Sequence, residues 1–307
     1  AIGISYQMHG LVVVDKESKV LRPSIIWCDS RATHYGEKAY AGLGESFCQT
    51  HYLNSPGNFT AAKLAWVKEN QPDIFEQIAH VLLPGDFIAG RFTSNFTTTA
   101  SALSEGILWD FKSSHPAKDL MAYYGFPESI FPPVQPLFSD HGSISASVAE
   151  ELGLGTHVKV TYKAGDQPNN ALSLNVFDPG EIAATGGTSG VVYAVTNNLS
   201  VKESSRVNNF AHVNYQKGTS ARIGKLLCIN GAGIQYRWLL NNLALSSYEE
   251  MNTLASEIPV GSDGVCLIPF GNGAERVLEN RDPGSMIKNL HFNRHNNAHL
   301  ARASQEG

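Results

Sequence analysis

Strand-like apolar runs at residues 2–5, 11–15 and 24–27 alternate with turns, so the first 28 residues predict three adjacent strands in an antiparallel or mixed arrangement. Lys16-Glu17-Ser18 is a turn between them. The segment Tyr6-Gln7-Met8-His9-Gly10 interrupts the alternation with a soft apolar residue, a histidine and a glycine. By pattern alone it is a strand-connecting turn with a half-buried histidine.

From residue 30 to 144 the spacing becomes helical and loop-rich. Helices are expected at 60–70, stopped before Pro72, at 72–78, and at 116–124, opened by Pro116 and closed by Gly125. Residues 80–84 form a short buried strand leading into Asp86-Phe87-Ile88, and 131–136 an extended, proline-rich connector. A helix at 143–152 precedes a strand at 157–163. That strand delivers Asp166 to its end, where Pro168 opens a helix over 169–176 and Asp166 or Gln167 can cap the free amides.

The turn Asp178-Pro179-Gly180 divides the chain into an expected domain at 1–178 and a second at 179–307. In the second, strand-like runs at 181–184 and 191–195 flank Thr185-Gly186-Gly187-Thr188-Ser189-Gly190, a hairpin whose glycines tolerate positive φ. Strands near 210–215 and 222–229 follow, then a helix at 233–242 and another from Ser247 with Glu250 as its capping-box partner. Late strands at 265–270 and 285–290 and a helix from Asn297 complete an α/β pattern.

Composition narrows the classes. A chain of 307 residues is long enough for two domains, each burying roughly two thirds of its unfolded surface. No apolar run approaches the ~20 residues that span a bilayer, so no membrane partner is expected. The net charge of −5, with 23 basic and 28 acidic residues scattered rather than blocked, leaves no footprint for nucleic acid. Cys28, Cys48, Cys228 and Cys266 form no CxxC pair, and are expected to be reduced and buried in a cytoplasmic setting. The chain starts inside a strand, without methionine, as if its beginning were missing.

Several motifs carry less than they first suggest. Gly218 and Gly224 are separated by five residues, and Leu226 follows Lys225 where a phosphate loop needs Ser or Thr, so the segment is a hairpin. His291, His295 and His299 are spaced four apart, but Asn293, Asn296 and Asn297 place the first of them in a loop, and no metal site is assigned. No serine sits in a G-x-S-x-G elbow. Gly231-Ala232-Gly233, at a helix start, admits close approach of a nucleotide, and the hairpin amides with the Thr188 and Ser189 hydroxyls can face an anion.

Taken together, Gly165-Asp166-Gln167-Pro168 and the hairpin resemble the FGGY family of carbohydrate kinases, whose usual pattern is Gly-Asp-Asn-Ala followed by a Gly-Thr-Ser-Gly hairpin. Gln167-Pro168 departs from it. Members that phosphorylate xylulose carry Gly-Gln-Met-His-Gly, and here Tyr6 replaces the first glycine while Met8-His9 is unchanged. Trp27-Cys28-Asp29-Ser30-Arg31 and Gly271-Asn272-Gly273-Ala274-Glu275-Arg276 also have family counterparts; for the former, a structural Asp29–Arg31 pairing with helix capping is expected.

The resemblance implies an α/β fold of two ribonuclease H-like lobes of the actin and hexokinase type around an interlobe cleft, both lobes incomplete in this chain. It implies Asp166 as the catalytic proton acceptor and Met8, His9 and Gln167 as sugar contacts. Gly187, Thr188, Ser189 and Gly233 would hold ATP, with Mg²⁺ bridging its phosphates. The expected reaction is ATP-dependent phosphorylation of a ketopentose, D-xylulose at its 5-hydroxyl first, and the resemblance leaves room for a homodimer. Alternatives are a ribulose, gluconate or glycerol type of kinase in the same family, or a non-catalytic sugar- or nucleotide-binding module on the actin fold. The family's first-strand Asp-x-Gly-Thr-Ser loop is absent before Met8, and its Gly-Gly-Gly-Ala segment would lie past Gly307, so the 307 residues alone are not expected to turn over.

Overall fold

A computed structural model describes every residue except Lys217, Thr219, Ser220, Ala274 and Asn280. The chain forms two compact units, one of residues 1–183, 193–204 and 208–225, the other of 184–192, 205–207 and 226–307. The division expected at 178/179 falls beside the first crossing between them. The chain then returns to the first unit twice.

The first unit is organised on two parallel strands, Ile2–Tyr6 and Val160–Gly165, in a register that sets Tyr6 beside Gly165. Their inward side chains, Ile4, Tyr6 and Val160, pack with Leu83, Ala89 and Ala102. Parallel neighbours need a crossover connection, and here it is most of the unit. Within it, Val12–Val14 pairs antiparallel with His80–Leu82. The third strand expected near the start is not formed: residues 24–27 make one bridge, Leu11 to Ile25, and Ile26 and Trp27 are exposed. Two apolar residues turned to solvent give a strand no face to bury.

Helix Thr60–Asn70 has the predicted bounds, because Ala, Leu and Lys favour it and the residue preceding Pro72 is disfavoured in helical geometry. It is buried almost all round, Lys63 included. Its successor, Pro72–Phe75, stops three residues short of the expected end. Helix Thr33–Leu43 crosses a loop backbone to backbone, and a Cβ at Gly36 would stand 1.9 Å from the Gly57 carbonyl oxygen. The Asp29–Arg31 ion pair is present at 2.7 Å, with the guanidinium 4.8 Å from the Trp66 ring. The capping expected of that segment is not: the N-cap of Thr33–Leu43 is Ala32, with no side-chain cap.

Beneath the parallel strands lies a buried ion pair. Lys163 Nζ is 2.6 Å from Asp86 Oδ1, both side chains within 1% of full burial. Thr98 Oγ1 donates to Asp86 Oδ2 at 2.8 Å, and the ammonium also reaches the Thr97 carbonyl.

Strands Ile182–Gly186, Gly190–Thr196, Ile223–Ile229 and Asn208–Ala211 form a four-stranded sheet in that spatial order. The strand expected at 210–215 therefore starts and ends earlier. The hairpin expected at Gly218–Lys225 includes Thr219 and Ser220, and Ala274 belongs to the Gly271–Arg276 segment; these three lie outside the described residues.

In the second unit, helices Ala232–Asn242, Tyr248–Ser256 and Asn297–Glu306 enclose a core of Leu239, Met251, Ala255, Val265, Leu267, Ala301 and Ala303. Cys266–Ile268 pairs antiparallel with Met286–Lys288. Ser247 caps its helix by accepting the Glu250 amide at 3.1 Å, but the Glu250 carboxylate turns to Ser246 rather than closing the box on Ser247. Only Cys48 is a buried thiol; Cys28 and Cys266 are exposed and Cys228 is half-buried, against the expectation that all four are inside. Among the described residues no helix is long and apolar enough to cross a membrane.

Candidate active site

The two parallel strands end side by side, so the segments that follow them are brought together. Tyr6 leads into Gln7-Met8-His9, and Gly165 into Asp166, the first residue of helix Asp166–Ser173. Ligands of open α/β sheets gather at such carboxyl ends. The helix starts at Asp166 itself, with Gly165 as N-cap, and ends at Ser173 rather than 176. Met8 packs directly on this junction: a Cβ at Gly165 would lie 2.5 Å from Met8 Cγ.

Asp166 Oδ1 accepts the Gln167 amide at 2.9 Å. A helix N-terminus alone would hold the carboxyl low. Burial outweighs this and raises it above the ordinary aspartate value, while the Gln167 amide, the Gln167 side chain and the Met8 amide pull the other way. The net effect makes Asp166 a better proton acceptor than a solvated aspartate. Asp166, Gln167 and Met8 are thus in one place.

His9 is half-buried, its ring 4.8 Å from Phe59 and 5.2 Å from Phe210. Its backbone is left-handed, with φ of 63°. Met8 is 5% exposed, so its side chain packs more than it presents. Tyr6 is accommodated with its ring over Gly85, where a Cβ would stand 2.1 Å from it, and its hydroxyl 2.5 Å from Glu105 Oε1. Glu105, at the end of helix Ala100–Glu105, is fully buried, and burial together with the nearby Asp166 pushes its carboxyl well above the usual range. Neither Glu105 nor Lys63 was legible as a site residue, since each acts on His9 across a long stretch of chain.

In the second unit Gly187, Thr188 and Gly233 converge. The Ile234 amide donates to the Thr188 carbonyl at 3.0 Å, and a Cβ at Gly233 would lie 1.7 Å from the Gly187 carbonyl oxygen. None of Gly186, Gly187 and Gly190 has positive φ, so the expected conformational reason for these glycines does not hold; of the three only Gly190 is close to the helix start, where a Cβ would lie 3.2 Å from Ala232 Cβ. Ser189 accepts the Gly187 amide through its carbonyl at 3.0 Å. Gly186, Gly187, Thr188 and Gly233 open on a cleft of about 640 Å³ that Tyr236 and Tyr248 also line.

The helix start is held from below by Glu275, wholly buried, whose two carboxylate oxygens accept the Asn230 and Gly231 amides at 2.9 and 3.0 Å. Glu275 belongs to the Gly271–Arg276 segment, singled out in the sequence for its family counterpart. Among the described residues no group of three or more His, Cys, Asp or Glu side chains is placed to hold a metal ion.

Residues 1–173 match the model of the N-terminal domain of the FGGY family of carbohydrate kinases. The xylulose kinase of Escherichia coli K12 is 29% identical over 310 residues, covering 100% of this chain and 62% of its own length. That of Bacillus subtilis 168 is also 29% identical over 310 residues, covering 99% and 60%. The crystal structure of xylulose kinase from Rhodospirillum rubrum superimposes with a TM-score of 0.83 at 25% identity, over 99% of this chain and 61% of that one. The chain thus spans about three fifths of the length of these relatives. Its fold is the ribonuclease H-like α/β fold of such kinases. With more than half of its residues matched by that domain, the chain belongs to the FGGY family of carbohydrate kinases.

Proposed function

We propose that the complete protein transfers the γ-phosphoryl group of ATP to a ketopentose, D-xylulose at its 5-hydroxyl. The observation that carries this reading is the half-buried carboxylate of Asp166 at the strand ends, held by the Met8 amide and raised by desolvation to suit proton acceptance. Phosphoryl transfer asks mainly for positioning and charge stabilisation. In this scheme Asp166 takes the hydroxyl proton as the sugar oxygen bonds to phosphorus and the bond to the ADP oxygen breaks. Met8, His9 and Gln167 orient the sugar.

For the nucleotide, the residues present fit. Gly187 and Thr188 are exposed at the turn, and with Gly233 at the helix start they line one cleft. Mg²⁺ commonly rides on phosphates with only one or two carboxylates. In that mode the ion would neutralise phosphate charge. A panel of ketoses and aldoses with ATP consumption as readout tests the reading. Turnover confined to gluconate or glycerol would replace the sugar, and no sugar-dependent turnover at all would leave a binding module.

Two variants separate the subsites. His9→Ala is expected to raise the KM for ketose about two- to tenfold, the worth of one lost neutral hydrogen bond, and to leave the ATP KM alone. A collapse of ATP affinity with intact sugar KM would reverse the assignment. Gly233→Ala forces a methyl group against the Gly187 carbonyl oxygen. Overpacking of this kind costs roughly 1–3 kcal/mol, and the ATP KM should rise about tenfold while the sugar KM holds. Unchanged nucleotide kinetics would take the hairpin out of the ATP site.

A further inference from the structure

His9 is held at more points than a connecting turn requires. Its amide donates to Glu105 Oε2 at 3.3 Å, and its carbonyl accepts from Lys63 Nζ at 2.8 Å. Its ring Nδ1 is 2.8 Å from the Glu105 carbonyl oxygen, and since a carbonyl only accepts, Nδ1 carries the proton. A left-handed backbone is unfavourable for a residue with a Cβ and persists where its surroundings enforce it. Here the surroundings are one carboxyl group, one carbonyl and one ammonium, each from a distant part of the chain.

We propose that Glu105 and Lys63 are positioning residues of the sugar subsite, which set the backbone and ring of His9 in the left-handed turn that faces the substrate. This rests on the reading of residues 8–9 as sugar contacts. Both side chains are buried, Lys63 completely and Glu105 to 2%, so they act through His9 and not on the sugar itself.

The chemistry of Glu105 follows from its surroundings. Burial and the neighbouring Asp166 favour its uncharged form, and Tyr6, also buried, shares a short hydrogen bond with Oε1. Glu105 Oε1 accepts from the Tyr6 hydroxyl and its Oε2 from the His9 amide. Glutamine keeps both contacts, its carbonyl accepting the His9 amide and its NH₂ donating to the Tyr6 hydroxyl, which then serves as acceptor. Lys63, lowered to about 8 by burial, retains N–H donors in either protonation state.

The test uses the complete protein with Glu105→Leu, Glu105→Gln and Lys63→Met. The readouts are separate KM values for D-xylulose and ATP, and hydrogen exchange at the His9 amide. Glu105→Leu and Lys63→Met are expected to raise the sugar KM about tenfold, the scale of a lost hydrogen bond to a charged or strongly polar group, with the ATP KM within about twofold. Exchange at His9 should quicken about tenfold in Glu105→Leu, and Glu105→Gln should restore both values. Wild-type sugar KM in Glu105→Leu, or equal loss in Glu105→Gln, would overturn the proposal. So would sugar and ATP KM rising together. If the wild-type protein phosphorylates no sugar, the functional reading fails, and exchange still decides the turn: unchanged protection of His9 in Glu105→Leu defeats its clamping by Glu105.

Discussion

Asp166→Asn in the complete protein will lower kcat about 10²- to 10⁴-fold, the usual contribution of a positioned proton acceptor, with the sugar KM within a few-fold. Asparagine keeps the shape and can still accept the Gln167 amide that Oδ1 accepts now, so the loss reports proton transfer rather than a collapsed helix start. The pH profile gives a second signature. In the proposed scheme Asp166 takes up a proton only when ionised, and burial holds its carboxyl above the ordinary aspartate value, so kcat/KM should fall with falling pH through a limb displaced upward from that of a solvated aspartate. That limb should vanish in the variant's residual activity. Steady-state kinetics across the acid range would show both; near-normal turnover of Asp166→Asn would remove the residue from the mechanism.

The largest expected loss of stability comes from Asp86→Ala. It leaves the Lys163 ammonium, with no exposed surface, without its carboxylate at 2.6 Å. Breaking such a pair from one side costs roughly 3–5 kcal/mol, a large part of the about 5–15 kcal/mol that holds a domain together. A double replacement, Asp86→Leu with Lys163→Met, removes both charges and should recover much of the loss, because burying the pair is itself expensive. Urea midpoints of the three proteins are the measurement. A single-variant loss under about 1 kcal/mol would mean that the ammonium finds sufficient compensation from Thr97 alone.

Much of this architecture was legible in local pattern. Helix Thr60–Asn70 could be bounded because helix formers run up to a residue that Pro72 disfavours, and Asp166 could be set at a strand end because 157–163 alternates. Met8, His9, Asp166 and Gln167 came from short motifs, and the structure gathers the segments that bear them around one strand pair. What local pattern missed was relational. Helix Ala100–Glu105 has a single large apolar residue, Leu103, among small and polar ones and so no apolar period, and neither it nor Glu105 had a signal. Lys63 looks like an ordinary solvent-facing helix lysine until the His9 carbonyl is found above it. The glycines at 186–190 were rightly expected in a hairpin but for a reason of backbone freedom, which none of them uses; only Gly190 lies close against a neighbouring helix.

The parallel pairing of Ile2–Tyr6 with Val160–Gly165 also sets an order of events. Contacts this remote in sequence give the unit a high contact order, the property that slows folding because a long loop must close before the pairing repays it. As the chain leaves the ribosome, strand Ile2–Tyr6 and the Met8-His9 turn are made well before Val160–Gly165 and Asp166, which arrive only after the intervening helices have been synthesised. Until then the edge that takes the later strand waits unpaired, the condition under which nascent chains stick to one another. The junction that brings Asp166 beside Met8 is therefore a late event in the synthesis of this unit.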